Sequence, residues 1–220
     1  MEEARIGLSS SALKWIAAAS MVIDHVGILF FPERTVFRII GRIAFPLFCF
    51  VLAEGVFYTR DIRKYLLRLL LFAFLSEIPF DLAFSGVFFD PESQNVFWTL
   101  FLGLLLLTLC RKLVGAREVW IFPLLAVFCA AAYFLNTDYS LGGILIIFVF
   151  YYFRNRKWIR DLLYALIVIL VYGGIELAAL VCIVLMHLYN GKRGRPMKYF
   201  FYLFYPCHIL ALYLIRLFVP

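Results

Sequence analysis

Nearly the whole chain consists of apolar runs, each long enough for a helix and separated from the next by a short polar loop. The 65% hydrophobic content and the mean hydropathy of +0.95 lie far outside the range of soluble domains. One crossing of a bilayer takes about 20 residues, so this length allows about nine crossings and leaves no room for a soluble domain. The sequence therefore predicts an all-α, polytopic membrane bundle that forms one domain over residues 1–220. Its apolar runs lie near residues 13–31, 36–57, 65–84, 96–114, 119–135, 140–153, 159–173, 175–188 and 199–218.

The charges of the connecting loops predict the orientation of the bundle. Basic residues gather in every second connection, including "YTRDIRK", "RNRKWIR" and "NGKRGRPMK", whereas "SGVFFDPESQN", "NTDYS" and "GGIE" carry acids and no basic residue. Because basic loops stay in the cytoplasm, we expect a cytoplasmic N-terminus and a multi-pass protein of the bacterial inner membrane. The formal charge of +7 then reflects topology and excludes nucleic acid as a partner. Arg34 and Arg38 break the rule, because their loop must face outside.

Spans six to eight are the least regular part of the pattern. Residues 140–153 form a short run, and "YGGIE" at residues 172–176 offers a turn barely long enough to separate two helices. The alternative to two full crossings is that residues 159–188 form a tilted or re-entrant pair.

Two ionisable side chains lie side by side in the first apolar run, in "SMVIDHVGILFF". A charge near the bilayer centre costs several kcal/mol, so Asp24 and His25 require a partner, a polar cavity or a reaction. The first span runs outward from Lys14, and eleven residues at ~1.5 Å each place His25 roughly 16 Å further, in the outer half. A neutral imidazole at this depth can act as a general base. Neighbouring helical residues point about 100° apart, so Asp24 need not touch His25.

A second group of charges follows helical spacing. Arg38 and Arg42 share a face of span two, and Glu77 and Asp81 share a face of span three. We expect the arginines to face these carboxylates, either as a purely structural network or as the support of a polar cavity beside His25. On the inner side, the sequence predicts a Glu54–Arg68 pair.

The loop "NGKRGR" is the other informative stretch. Its glycines and cations suit phosphate groups, which makes Asn190, Lys192 and Arg193 candidate ligands, although a plain cytoplasmic anchor would look the same. The spacing of His25, His187 and His208 carries no metal-ligand signature, and no metal is expected. His187 and His208 are more typical of structural core residues, with His208 the next catalytic candidate after His25.

Four stretches resemble the TraX family, which is named for a protein that acetylates F pilin and is grouped with the transmembrane acyltransferases. They are "LKWIAAASMVIDHVGILFFP", "RIIGRIAFPLFCFVLAEGVFYTR", "KYLLRLLLFAFLSEIPFDLAF" and "YNGKRG" with "KYFFYLFYPCHILALYLI". In those acyltransferases, a basic residue, ten intervening positions and a histidine mark the first span, as Lys14 and His25 do here.

The resemblance implies a mechanism. Acetyl-CoA is the expected co-substrate and enters from the cytoplasm, while a pilin N-terminus, glycan, lipid or other amine or hydroxyl accepts the acyl group at the outer side. His25 is the expected catalytic residue with Asp24 beside it. The remaining expected site residues divide into a cofactor-binding set, Lys14, Arg42, Asn190, Lys192 and Arg193, and a set that supports the polar pocket, Arg38, Glu77, Asp81 and His208.

Two non-enzymatic functions are the alternatives to acyl transfer. A small-solute transporter or channel would use the buried charges as an ion pathway, but the sequence shows neither an internal repeat nor a pair of broken helices. A non-enzymatic assembly factor for surface appendages is the other. Transfer of an acyl group from its CoA thioester by the purified protein would separate the enzyme from both.

Overall fold

The protein is an all-helical membrane bundle, here described as a computed structural model for residues 7–113 and 118–218, without the side chain of Lys198. Within these ranges the chain forms helices and no strand beyond two isolated bridges. The α-helices are α1 (Ser10–Phe30), α2 (Thr35–Gly41), α3 (Ala44–Tyr58), α4 (Ile62–Phe84), α5 (Val96–Leu113), α6 (Ile121–Phe134), α7 (Ser140–Tyr152), α8 (Lys157–Ile167), α9 (Cys182–His187) and α10 (Lys198–Phe218). The predicted fold class is confirmed.

Each of the predicted apolar runs coincides with helical structure, and four helical segments are long and apolar enough to cross a bilayer alone. These are Ser10–Phe30, Thr35–Tyr58, Val96–Leu113 and Tyr199–Phe218. Large apolar side chains also cover the outside of α4, where Leu67, Phe74 and Ile78 are more than half exposed. In a soluble protein such a surface would associate, whereas in lipid it is the expected outer face.

The α-helical hydrogen bonding of the second apolar run is interrupted between Gly41 and Ala44, although Arg42 and Ile43 keep helical backbone angles. Pro46 explains the position of the break. It has no N–H to give to the carbonyl of Arg42, four residues earlier, and its ring crowds that turn. Both α2 and α3 pack on α1, and Arg42 lies in the interruption between them.

Residues 157–187 form two irregular helical legs rather than two long α-helices. Helix α8 continues as a π-helical turn, Val168–Tyr172, and the chain then reverses at Gly173 and Gly174, whose φ angles are +65° and +53°. The return leg is a 3₁₀ segment, Gly174–Val181, followed by the short α9. This segment packs against α2, so the reversal brings Glu176 towards the interior.

The interior is built around α1, α3, α4, α5, α7 and α10, whose buried apolar side chains form one continuous core. A smaller cluster joins α6 to α5 and α7 at the side. Helix α1 contacts α2, α3 and α10, and α10 also packs on α4. Polar side chains of α1 therefore meet residues from both ends of the sequence.

Candidate functional site

Two cavities lie next to each other inside the bundle. The first, which we call the histidine cavity, has a volume of about 420 Å³ and is lined by Asp24, His25, Arg38 and Arg42 among apolar residues. The second, which we call the basic cavity, has a volume of about 790 Å³ and lies at the Lys14 end of α1. Both cavities are lined by Phe48, Leu100 and Phe201. The two spaces therefore adjoin across these three side chains.

Asp24 holds two guanidinium groups in the histidine cavity. Arg42 Nη2 donates to Asp24 Oδ1 at 2.9 Å and to Oδ2 at 2.8 Å, and Arg38 Nη1 donates to Oδ2 at 2.8 Å. Asp24 and Arg42 are 8% and 6% exposed. Removing either partner of such a buried pair leaves an uncompensated charge and costs about 3–5 kcal/mol. Asp24 therefore anchors the arginines rather than contacting His25.

Gly41 permits this approach of α2 to α1. A Cβ atom at position 41 would overlap the carboxyl group of Asp24. One turn further along α1, a Cβ on Gly27 would likewise overlap Phe37 of α2. The two glycines let the helices approach closely enough for the arginines of α2 to reach Asp24.

Arg42 also links Asp24 to the 3₁₀ segment Gly174–Val181. Its Nη1 donates to Glu176 Oε1 at 2.6 Å, and its Nε donates to the Arg38 carbonyl oxygen at 3.0 Å. Glu176 is half-buried and lines the same cavity. One guanidinium thus joins α1, α2 and the 3₁₀ segment, which fixes this wall of the cavity.

His25 forms a pair with His208 of α10. His25 Nδ1 lies 2.8 Å from His208 Nε2, and the two rings are parallel with centroids 5.0 Å apart. His208 Nδ1 in turn lies 2.8 Å from the carbonyl oxygen of Phe204. His25 is 9% exposed and lines the histidine cavity. The imidazole of His25 is therefore hydrogen-bonded to a second imidazole, that of His208.

Asp138 and Tyr139, in the loop between α6 and α7, complete the wall of the histidine cavity. Asp138 is exposed and lines the cavity, where the surrounding protein restricts the water around its carboxyl. Poor solvation of the ionised form raises its pKa to about 6, although nearby Arg42 opposes the shift. Its backbone is tied down, since the Asp138 N–H donates to the Gln94 carbonyl at 3.0 Å. This wall carries a titratable carboxyl within the physiological range.

The basic cavity carries six cations and two acids. Its acids are Glu54 and Asp61, and its cations are Lys14, Arg60, Lys64, Arg68, Arg193 and Arg195. Glu54 is already neutralised, because Arg154 Nε and Nη2 donate to its two oxygens at 2.6 and 3.0 Å. Asp61 caps α4 by accepting from Lys64 N at 3.0 Å, and this bond lowers the pKa of its carboxyl. The remaining positive charge is suited to an anion.

The loop "NGKRGR" is fastened to the start of α1. The N–H groups of Ser10 and Ser11 donate to the carbonyls of Lys192 and Arg193, at 2.8 and 3.1 Å. Gly194 has a φ of +72°, and a Cβ there would meet Ser9 and Ser11. This attachment holds the backbone of the loop beside the cavity mouth.

The predicted cofactor-binding residues do not all reach one place. Lys14 and Arg193 line the basic cavity, whereas Arg42 lies in the histidine cavity. Asn190 and Lys192 are not among the lining residues of either cavity in the described part of the chain. Asn190 has a local role instead, since it donates to the Gly7 carbonyl and accepts from Lys192 N, both at 2.9 Å.

The predicted pairing of Arg38 and Arg42 with Glu77 and Asp81 is wrong. Glu77 Oε1 accepts from Trp98 Nε1 at 2.5 Å, and Asp81 Oδ2 accepts from Asp90 N at 2.9 Å. The reason is that the face of α4 that carries these carboxylates packs towards α5 and the loop before it. Asp24 on the neighbouring helix α1 accepts the hydrogen bonds of both arginines instead.

The predicted Glu54–Arg68 pair is also wrong. Arg154 takes Glu54, as described above, with its guanidinium 4.7 Å from the Phe57 ring centroid. Arg68 lies instead over the rings of Tyr65 and Tyr202, at 5.8 and 6.0 Å. Five polar residues that line the histidine cavity were not predicted as site residues: Asp138, Tyr139, Tyr172, Glu176 and Tyr205. Two of them carry the charge of loops interpreted only as acidic outer connections.

The protein is thus a helical membrane bundle that places a histidine pair in one cavity beside a second, cationic cavity. The sequence model of the TraX protein family matches residues 9–216, and the chain belongs to this family. A probable fimbrial assembly protein FimC, serogroup H1, of Dichelobacter nodosus is 33% identical over 242 aligned residues, which cover 97% of this chain and 98% of that protein.

A second relative shares only a short region. The uncharacterized protein RP591 of Rickettsia prowazekii (strain Madrid E) is 58% identical over 38 residues, covering 17% of this chain and 15% of that protein. No solved structure matches the chain.

Proposed function

We propose that this protein is a transmembrane acyltransferase that moves an acetyl group from cytoplasmic acyl-CoA to an acceptor at the outer side of the inner membrane. The observation that carries the proposal is the pair of adjoining cavities, one cationic and one holding His25. Two substrates that approach from opposite ends meet where the cavities share Phe48, Leu100 and Phe201. The placement within the transmembrane acyltransferases rests on the Lys14–His25 spacing.

The basic cavity is suited to the acyl donor. CoA carries several phosphates, and the lining cations outnumber the acids, one of which Arg154 already neutralises. Arg193 and Arg195 lie on the lining together with Lys14. From Lys14 to His25 the rise along α1 is roughly 16 Å, comparable to an extended pantetheine arm. A thioester held in this way would reach the histidine cavity while the phosphates remain at the cytoplasmic end.

The chemical step is a direct transfer. His25 accepts the proton of the acceptor hydroxyl or amine, and the freed lone pair attacks the thioester carbonyl carbon. When the intermediate collapses, the C–S bond breaks and the sulfur takes the proton from His25, giving the acetylated acceptor and CoA. Arg38, which lines the cavity and is half-buried, is the donor we assign to the oxyanion that forms on the carbonyl oxygen.

The acceptor that we favour is a pilin. Its support is the similarity over nearly the full length to a probable fimbrial assembly protein. The same similarity favours a second candidate function, assembly of a surface appendage without any chemistry. Only the presence of acyl transfer separates these two.

The test uses the purified full-length protein in lipid nanodiscs with labelled acetyl-CoA and a pilin peptide. We expect His25→Ala to lower the rate at least 100-fold, the lower end of what general base catalysis contributes. The affinity for CoA should be unchanged, because His25 does not line the basic cavity. His187→Ala is the control, since His187 lines neither cavity. No transfer by the wild-type protein to any offered amine or hydroxyl would favour the assembly factor, and full activity of His25→Ala would exclude this mechanism.

A second arm tests the donor site. Arg193→Ala and Arg195→Ala should each weaken CoA binding about tenfold or more, because one charge-assisted hydrogen bond contributes about 1.5–3 kcal/mol. Lys192→Ala is the matched control from the same loop and should bind CoA normally. Equal affinities for all three variants would contradict the assignment of the basic cavity to the phosphates.

A further inference from the structure

The hydrogen bonds of the histidine pair fix where its protons lie. The Phe204 carbonyl oxygen can only accept, so His208 Nδ1, 2.8 Å away, carries a proton. In a neutral imidazole the other nitrogen is then an acceptor. His208 Nε2 faces His25 Nδ1 at 2.8 Å, so His25 Nδ1 must donate. The remaining nitrogen, His25 Nε2, is left with its lone pair.

Both rings have reason to stay neutral. Arg38 and Arg42 are close enough to repel a charge on His25, and the histidines are largely buried by apolar neighbours such as Phe84 and Tyr205. A third positive charge in this region would cost free energy. Only an imidazolium at His208 would reverse the order of protons, and its charge would have to be placed among these apolar neighbours.

The position of His208 is itself held by packing. Its ring is stacked on Phe204 at 4.8 Å, and it meets Tyr205 edge to face at 5.8 Å. Among the side-chain hydrogen bonds of the described residues, His25 takes part only through Nδ1. The free lone pair of a cavity-lining histidine is therefore set by a residue 183 positions away in the sequence.

We propose that His208 is a positioning residue that holds His25 in the tautomer with its proton on Nδ1, leaving Nε2 as the base that receives the acceptor's proton. This inference rests on the proposed function for the role of Nε2, but the tautomer itself does not. The arrangement resembles other catalytic histidines, in which the partner of one ring nitrogen decides what the other can do. Here a backbone carbonyl and a second imidazole supply that partner.

Nitrogen-15 NMR of the full-length protein in bilayers reads the tautomer directly. The chain contains three histidines, so selective labelling gives six ring-nitrogen signals, and His187→Gln removes the two that belong to the outlying residue. Without any substrate, we expect both His25 and His208 to be neutral, each with a protonated Nδ1 and an unprotonated Nε2. A protonated Nε2 on His25 would overturn the proposal, whether or not acyl transfer is ever found.

Two substitutions separate positioning from packing. His208→Phe keeps a stacked ring but removes the acceptor, whereas His208→Gln keeps an acceptor at the place of Nε2 without the ring. We expect His208→Phe to shift His25 towards the Nε2-protonated tautomer and to lower kcat on the order of 10- to 100-fold, while KM for acetyl-CoA stays within about twofold. His208→Gln should retain kcat within about fivefold and keep the proton on His25 Nδ1.

The outcomes distinguish this inference from the acyltransferase proposal. If the wild-type protein transfers acetyl groups and His208→Phe does so at the normal rate, His208 does not position the base. If His208→Gln is as slow as His208→Phe, the ring and not the acceptor nitrogen matters, and the proposal is overturned. Absence of transfer in the wild-type protein would remove the acyltransferase function, whereas the NMR result would still decide the tautomer.

Discussion

Asp24 shows how one buried carboxylate organises its surroundings. It lies on α1, but its partners are Arg38 of α2 and Arg42, which lies in the interruption between α2 and α3. Arg42 also donates a hydrogen bond to Glu176. The free energy lost on burying the carboxylate is offset by these direct contacts, so the cluster is more than a pair.

The strength of this cluster can be measured by a double-mutant cycle. Asp24→Asn and Arg42→Gln should each lower the free energy of unfolding by about 3–5 kcal/mol, because each leaves a buried charge without its partner. The double variant should lose less than the sum, with a coupling of about 0.5–3 kcal/mol. Unfolding in detergent monitored by intrinsic fluorescence gives these values. Glu77→Gln combined with Arg42→Gln is the control and should be additive; coupling there instead would restore the pairing that the sequence predicted.

Asp138 predicts a dependence of stability on pH. Its pKa in the folded protein, about 6, is above the ordinary value of 3.8, so the folded state binds the proton more tightly than the unfolded state. The contribution of this group is therefore fully present below about pH 4 and is lost as the pH rises through 6. Between these values, the wild-type unfolding midpoint should fall relative to that of Asp138→Asn.

Asp90→Asn is the matched control for this titration. Hydrogen bonds from Ser85 Oγ and Glu92 N lower the pKa of the Asp90 carboxyl, so its contribution changes only below pH 4 and disappears on acidification. The difference between wild type and Asp90→Asn should stay constant from pH 4 to 6. A flat difference for Asp138→Asn as well would contradict the raised pKa.

Among the elements, the helices were predicted better than their interruptions. Apolar length locates α1, α5 and α10, since a run of about 20 such residues has few other solutions. The π-helical turn and the 3₁₀ segment after α8 have no comparable signal beyond the glycine pair at 173 and 174. Their geometry depends on Tyr172, whose hydroxyl donates to the Tyr139 carbonyl at 2.8 Å. Such a contact joins distant loops and leaves no periodic pattern.

The orientation of the elements in the membrane can be tested by cysteine labelling. Asn95 is unsuitable as a probe of the predicted outer loop, because it is buried and donates to the Ala73 carbonyl. Glu92 in that loop and Lys192 in the basic loop are exposed. In a background that lacks the exposed Cys207, we expect an impermeant maleimide to label Glu92→Cys in intact cells and to spare Lys192→Cys.

Permeabilised cells supply the control for accessibility, since both cysteines should then react. Labelling of Lys192→Cys before permeabilisation would place the basic loop outside. The basic cavity could then not receive a cytoplasmic acyl donor.

For the whole molecule, the important feature is the boundary between the two cavities. Phe48, Leu100 and Phe201 come from α3, α5 and α10, so three helices meet at the point where a thioester would pass. A larger side chain there should obstruct passage while each cavity keeps its own polar residues. We expect Leu100→Phe to lower acetyl transfer about tenfold or more, since small misplacement of a reacting group is costly.

Binding of CoA separates obstruction from unfolding in this experiment. Leu100→Phe should bind CoA with near wild-type affinity, because the cations of the basic cavity are unchanged. Leu105→Phe, also on α5 but outside both cavities, is the matched control and should transfer normally. Normal transfer by Leu100→Phe would show that the acyl group does not pass this boundary.

Apolar runs and buried charges in the sequence are enough to predict the class of the molecule and the residues that require a partner. Its apolar runs leave no alternative to a helical membrane bundle, and the cost of burial marks Asp24, His25 and Arg42 as residues with partners. The sequence does not identify the partners of the arginines, because a guanidinium group can pair with any of four carboxylates, Asp24, Glu77, Asp81 and Glu176.

The packing of the helices selects which of these carboxylates pair with the arginines. Close contacts at the glycines allow α2 to pack on α1. Glu77 lies on the face of α4 that packs against α5. The chain reversal after α8 places Glu176 next to Arg42. The same packing places His208 against His25, although the sequence pattern of His208 alone is typical of a structural core residue. Hydrogen-bonding partners are selected by distances of about 3 Å, whereas sequence patterns specify only which face of a helix a residue occupies.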